Sequence, residues 1–233
     1  MQPERETYRL DPSPVRSRAP GTSRVAPPIV RSLGCVEYAP TWRAMQEFTT
    51  KRDANATDEL WLLEHPPVYT VGVASRPEHF PHAATSIPVV KIDRGGQITY
   101  HGPGQVVLYT LLDLQRRGLG VRALVRLLER AVIDLLGRHG VRGEGRADAP
   151  GVYVEGAKIA ALGLRIRQGR CYHGLALNVD MDLAPFGLID PCGYPGLRVT
   201  QARNLGIAQS VDAMGRALAA IVAEHLQSMV EAP

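Results

Sequence analysis

Residues 151–178 read GVYVEGAKIAALGLRIRQGRCYHGLALN, three apolar runs separated by two short turn signals. Gly151 to Val154, Ile159 to Ile166 and Tyr172 to Asn178 are rich in branched and aromatic residues and too short for ordinary helices, so they read as strands. Glu155-Gly156 and Gln168-Gly169-Arg170 supply the glycine that a tight strand connection needs. The segment is therefore expected to fold as consecutive antiparallel hairpins. Outward from it, Glu59 to Glu64, Val89 to Ile92 and Gln105 to Leu112 read as further strands, with Pro66-Pro67 breaking the chain after the first. An amphipathic stretch from Pro40 through Trp42, Met45 and Phe48 predicts a helix. Leu124, Leu128, Ala131 and Leu135 predict a second, and Ser210 is placed to cap a last one whose apolar face carries Met214, Leu218, Ile221 and Val222. Helices are too few for a βαβ repeat. The expected class is α+β, a mixed, largely antiparallel sheet flanked by helices.

A chain of 233 residues with 45% hydrophobic content can bury one sizeable core, so one domain is expected over residues 31–233. Residues 1–30, with Pro12, Pro14, Pro20, Pro27 and Pro28 and no hydrophobic period, read as a flexible Pro- and Arg-rich tail. No apolar run approaches membrane-spanning length and Met1 is followed by no secretory core, which predicts a soluble, cytoplasmic protein with no membrane partner. The formal charge of +4 suits an acidic partner. The arginines are scattered without interleaved aromatics, which argues against a nucleic-acid partner.

Cys35, Cys171 and Cys192 are too unevenly spaced for a disulfide framework or a metal site, so no metal is expected. Cys192 lies between Pro191 and Gly193 in FGLIDPCGYPGLRVT, a segment dense in turn residues where a merely buried cysteine is out of place. It is the best candidate nucleophile of the three. Only Lys51, Lys91 and Lys158 are lysine in a chain that otherwise uses arginine. Lysine alone can lose its proton on desolvation, and Lys158 opens an apolar strand just after a turn. It reads either as an amine able to act on a thiol proton or as an exposed strand-end cation. In RGGQITYHGPGQ, Arg94 to Gln105, glycines surround Arg94, Thr99, Tyr100 and His101 in what reads as a loop for close approach to a ligand. It lacks the spacing of a phosphate loop or a dinucleotide fingerprint.

Together the R-G-G-x-x-T-Y-H-G-x-G-Q stretch, A-K-I-A-A-L-G, Y-H-G-L-A-L-N and P-C-G closely resemble the lipoyl(octanoyl) transferases, in the family's order, over Val36 to Ile207. The resemblance implies the catalytic-domain fold of biotin and lipoate protein ligases, and transfer of an octanoyl group from octanoyl-acyl carrier protein to a lysine of another protein. The acceptors it implies are lipoyl domains of 2-oxoacid dehydrogenases and the glycine cleavage H protein. It also implies Cys192 as the acyl-thioester nucleophile and Lys158 as the residue that tunes it. Substrate-binding stretches fall on Arg94, Gly95, Gly96, Gln97, Ile98, Thr99, Tyr100 and His101, on Ala161, Leu162 and Gly163, and on Gly174, Leu175 and Ala176. No cofactor is implied. The competing reading on the same fold is an ATP-dependent lipoate or biotin ligase, which activates a free acid and needs no nucleophilic cysteine.

Overall fold

The computed structural model describes residues 25–146 and 148–231. Its centre is a seven-stranded sheet built from β1 (Ile29–Cys35), β2 (Glu59–Glu64), β6 (Gln105–Asp113), β7 (Glu144–Gly145), β8 (Gly151–Val154), β9 (Ala157–Arg167) and β10 (Arg170–Asn178), ordered β1-β2-β6-β10-β9-β8-β7. A smaller sheet of β3 (Val68–Val71), β4 (Val89–Lys91) and β5 (Ile98–His101) has the order β4-β3-β5. Four helices complete it: α1 (Tyr38–Lys51), the short α2 (Leu114–Arg117), α3 (Val121–Gly137) and α4 (Val211–Glu231).

The hairpins read from residues 151–178 are present. Glu155 and Gly156 have φ of 48° and 74°, Gln168 and Gly169 of 50° and 73°, the doubly left-handed pairs of a turn that follows the sheet's twist. Strand periodicity sorts the core. Leu60, Leu62, Val106, Leu108, Leu175 and Leu177 face α3 and α4, whereas the alternate residues Trp61, Leu63, Val107, Tyr109 and Ala176 face α1 and Met45. The apolar stripe expected on α3 is buried, as are Met214, Leu218, Ile221 and Val222 of α4. The Ser210 hydroxyl accepts the Ala213 amide at 3.2 Å as the expected cap.

Three features depart from expectation. Residues 1–24 of the expected tail lie outside the described residues, but its last part carries structure: Val25 is buried and Ile29 begins β1. β1 runs parallel to β2, so the chain contains one strand–helix–strand crossover through α1. β1 escapes detection because all seven of its residues are exposed and carry no alternation. Pro40 stands in the first turn of α1 as its third residue rather than its first, where its missing amide is still harmless. Third, the glycine-rich segment read as one loop contains β5, whose four residues are all buried. Ile98 and Tyr100 pack there with Tyr69, Val71 and Phe186.

One buried ionic knot ties β2, β6 and α2 together. The Asp58 carboxylate, with no exposed side-chain surface, receives Arg52 at 2.6 Å, Arg116 at 2.9 Å and Arg117 at 2.5 Å. It also accepts the Asp113 amide at 2.8 Å. Removing the anion strands Arg52 and Arg117 as buried, uncompensated cations. Asp58→Asn is expected to destabilise the fold by roughly 3 kcal/mol, read as a lower urea midpoint at unchanged m value.

Candidate active site

A cavity of about 450 Å³ opens over β9 and β10. Its sheet wall follows from register. Two cross-strand rows run Val107–Ala176–Ala161 and Tyr109–Gly174–Gly163, bulky on β6 and small on β10 and β9. Two glycines and two alanines on this face leave the space. Leu162, Leu164 and Leu175 add apolar wall, Leu175 from the edge of the helix-facing core to which Leu177 also belongs.

Over this wall lies the Arg94–Gln97 segment. The Gly95 amide donates to the Leu164 carbonyl at 2.9 Å and fastens the loop to β9. Arg94 is buried, and its guanidinium reaches back to the Thr70 carbonyl and hydroxyl at 2.8 and 2.9 Å and to the Gly95 carbonyl at 3.0 Å. It braces the loop. Gly72 is obligatory beneath it, since a Cβ there would lie 2.4 Å from the Gly96 carbonyl oxygen. Of the expected binding residues, Arg94, Gly95, Gly96, Gln97, Thr99, His101, Ala161, Leu162, Gly163, Gly174, Leu175 and Ala176 all line the cavity. Ile98 and Tyr100 do not: strand alternation turns them into the core of the smaller sheet.

Lys158 marks the end of the cavity toward the start of β9. It is 4% exposed, so the exposed strand-end alternative is excluded. Its Nζ donates to the Pro150 carbonyl at 3.2 Å and lies 5.1 Å from the centre of the Tyr153 ring. Ala149, Pro150 and Tyr194 line the cavity around it. The neighbouring 3-10 turn Pro191–Gly193 carries Cys192, whose side chain lies outside the described residues. That turn packs on β5, and a Cβ on Gly193 would strike the Gln97 carboxamide, so it abuts the glycine-rich segment. The other cysteines stand apart. Cys171 is buried with its thiol pushed up to about 12 by desolvation, and Cys35 is exposed at the end of β1, its thiol also raised by partial burial.

Behind His173, which lines the cavity, lies a polar cluster that sequence reading missed. Asp93 accepts Trp42 Nε1 at 2.8 Å, Gln46 Nε2 at 3.2 Å, the Tyr172 hydroxyl and His173 Nε2 at 3.1 Å. Burial alone would raise its pKa, but bonds from His173, Tyr172, Trp42 and Gln46 outweigh that and hold the carboxyl well below the usual range. Tyr172 and His173 are adjacent strand residues that both reach Asp93, with rings stacked 5.1 Å apart. Strand alternation forbids that, and the φ of 63° at His173 is what permits it. The signal for Asp93 was its place beside Arg94 in the D-R-G-G sequence.

Residues 37–222 match the family described as the lipoyl protein ligase A/B catalytic domain. The octanoyltransferase of Thiobacillus denitrificans is 66% identical over 190 residues, 82% of this chain and 87% of that one. The bipartite lipoate protein ligase of Thermoplasma acidophilum superposes with a TM-score of 0.68 at 16% identity, covering 85% of this chain and 84% of that chain. The biotin protein ligase of Aquifex aeolicus, in complex with biotin and ATP, superposes at 0.55 and 11% identity over 87% and 72%. The last two establish the fold. The chain is thus an enzyme of the lipoyl protein ligase A/B catalytic class, and within that class it belongs to the octanoyltransferases, which are acyltransferases.

His101, in the cavity wall, and His65 beside it are buried and held neutral. Burial pushes His65 down to about 4 against a Val36 carbonyl bond, and burial with neighbouring His65 pushes His101 down to about 3. The unfolded chain takes up protons near 6.5. Folded stability is therefore full above that pH and falls as pH drops through 6.5 toward 4 and 3. Thermal melts from pH 7 to 4 are expected to show this decline, and His65→Gln is expected to flatten it.

Proposed function

We propose that this enzyme moves an octanoyl group from octanoyl-acyl carrier protein onto Cys192 as a thioester, and then onto a lysine of a lipoyl domain. The observation that carries the reading is an apolar cavity ending at a buried lysine beside the turn that bears Cys192. The relative at 66% identity bears the name octanoyltransferase. Residues 31–233 act as one catalytic domain on this reading.

A free thiol near ~8.5 is only a few per cent thiolate at neutral pH. In the first step Lys158 takes the Cys192 proton, and the thiolate attacks the thioester carbonyl of the donor. The tetrahedral intermediate collapses, the carbon–sulfur bond to the carrier breaks, and the carrier thiol leaves with the proton from Lys158. In the second step the acceptor lysine amine attacks the Cys192 thioester, an amide forms as the carbon–sulfur bond breaks, and the proton lost by the amine passes by way of Lys158 to the departing cysteine, which is restored as the thiol. Thioester exchange is nearly neutral in energy and amide formation runs downhill, so no nucleotide is required.

Backbone amides around Gly193 or in the Gly95-Gly96 loop would stabilise the tetrahedral oxyanion; those of Gly193 and Gly95 also donate to the Asp190 and Leu164 carbonyls. Each methylene buried against the small-residue wall adds about 0.8 kcal/mol, which favours a medium-length saturated acid. Donor and acceptor are acidic proteins by this reading, and the net charge of +4 favours their approach. Cytoplasmic placement accords with the sequence; among the described residues no helix is long and apolar enough to cross a membrane.

Intact mass after mixing with octanoyl-acyl carrier protein, without ATP, tests the reading. Wild type is expected to gain one octanoyl group, labile to hydroxylamine, and Cys192→Ser to gain none. Active wild type without an adduct, or Cys192→Ala working from ATP and free octanoate, sinks the thioester in favour of a ligase.

A further inference from the structure

Glu129 is the one carboxylate that α3 turns inward. It is 5% exposed, among leucines and valines, and no part of the proposed chemistry uses it. Its Oε1 accepts the Gly151 amide at 2.9 Å, and its carboxylate edge closes on Gly145, where a Cβ would sit 3.4 Å from Oε2. Gly151 in turn lies against Lys158. A Cβ built on Gly151 would stand 2.9 Å from Lys158 Cε and 3.2 Å from Nζ, so the lysine head occupies the space that a side chain at 151 would take. The residue before it, Pro150, supplies the carbonyl that Nζ donates to. The same two-residue piece of backbone therefore carries the carboxylate on its amide and the ammonium on its carbonyl.

We propose that Glu129 is a positioning residue for Lys158: it fixes the Pro150–Gly151 backbone on which the amine rests and supplies the buried negative charge that favours the ammonium. The proposal deepens the reading of Lys158 as the group that handles the Cys192 proton, and rests on it for its role in turnover. A negative charge close to the amine strengthens it as a base, and thiol-to-amine proton transfer runs toward thiolate and ammonium. Burial dominates and raises the Glu129 carboxyl above the usual carboxylate range, and the Gly151 amide, Lys158 and Arg126 offset part of that rise. Among the described residues, Arg146 shares the Tyr153 ring with Lys158, and Asp148 pairs with Arg146 beside this corner.

With only Lys51, Lys91 and Lys158 in the sequence, lysine labelled with carbon-13 at Cε gives a spectrum in which Lys158 can be titrated directly. Glu129→Gln is expected to lower the Lys158 midpoint by about one unit or more, and Glu129→Asp to restore most of it. The Gln variant is also expected to lose about tenfold in kcat with KM for the octanoyl donor little changed. Lys158→Met provides the reciprocal reading, and in it the Glu129 carboxyl carbon is expected to titrate at higher pH than in wild type. That measurement holds even if Glu129→Gln fails to fold. A Lys158 midpoint indifferent to Glu129→Gln, or a Glu129 midpoint indifferent to Lys158→Met, overturns the proposal. Both titrations are read without turnover, so an error in the role of Cys192 would show in the mass experiment and leave them untouched.

Discussion

The absence of side-chain bulk along two cross-strand rows, Ala176–Ala161 and Gly174–Gly163, is the constraint on which the site depends. A sheet face normally closes against its neighbouring layer at interior density, and a gap on it loses dispersion contacts. Here Val107 and Tyr109 keep the bulk on β6, and the small residues begin at Ala176 on β10, which still packs with Met45 of α1. Gly163 admits the Arg94 stem, since a Cβ there would lie 2.8 Å from Arg94 Cδ. Gly174 fits against the Leu108 carbonyl. The same residues therefore open the cavity and let the loop that roofs it come down onto β9.

A cavity wall that lacks packing must be stiffened from elsewhere, and polar bonding supplies the stiffness. Arg94 crosses from the roof to β3 and ties it to Thr70, while Asp93, one residue earlier, gathers donors from α1 and β10. Adjacent residues thus anchor the roof to both sheets and to a helix. The left-handed backbone at His173 has a cost of order 1–3 kcal/mol, offset by the charge-assisted bonds it makes possible at Asp93. The remote knot at Asp58 holds the other end of β2 and β6.

Legibility in the sequence followed locality. The hairpins of residues 151–178 were readable because turn and strand chemistry are consecutive, and Glu59–Glu64 and Gly151–Val154 emerge with the boundaries expected. The binding stretches were readable because glycine and a few polar residues cluster in sequence as they do in space. Asp93, Tyr172 and Trp42 were not, because they converge from β4's exit, β10 and α1 and share no spacing. β1 was missed for the opposite reason: as an exposed edge strand it buries no face and writes no alternation. Ile98 and Tyr100 were assigned by adjacency to a motif, which ignores the period of two that sends them to the core.

The choice of lysine at position 158, in a chain that uses arginine almost everywhere else, follows from the space available. A guanidinium is planar, larger and fixed in charge, and the space over Gly151 is already taken by Lys158 Cε and Nζ together with the Ala160 carbonyl. Burying an ammonium is unfavourable unless donors are met and the charge is balanced. The Pro150 carbonyl meets one donor and the Tyr153 face adds a cation–π contact. Gly151 has a φ of 147°, a conformation side chains resist, so glycine serves both the backbone angle and the vacancy the lysine fills. Glu129, Gly151 and Lys158 thus form one unit in which any single replacement leaves either an unmet amide, a clash or an unbalanced charge, and the unit stands at the end of the cavity nearest Cys192.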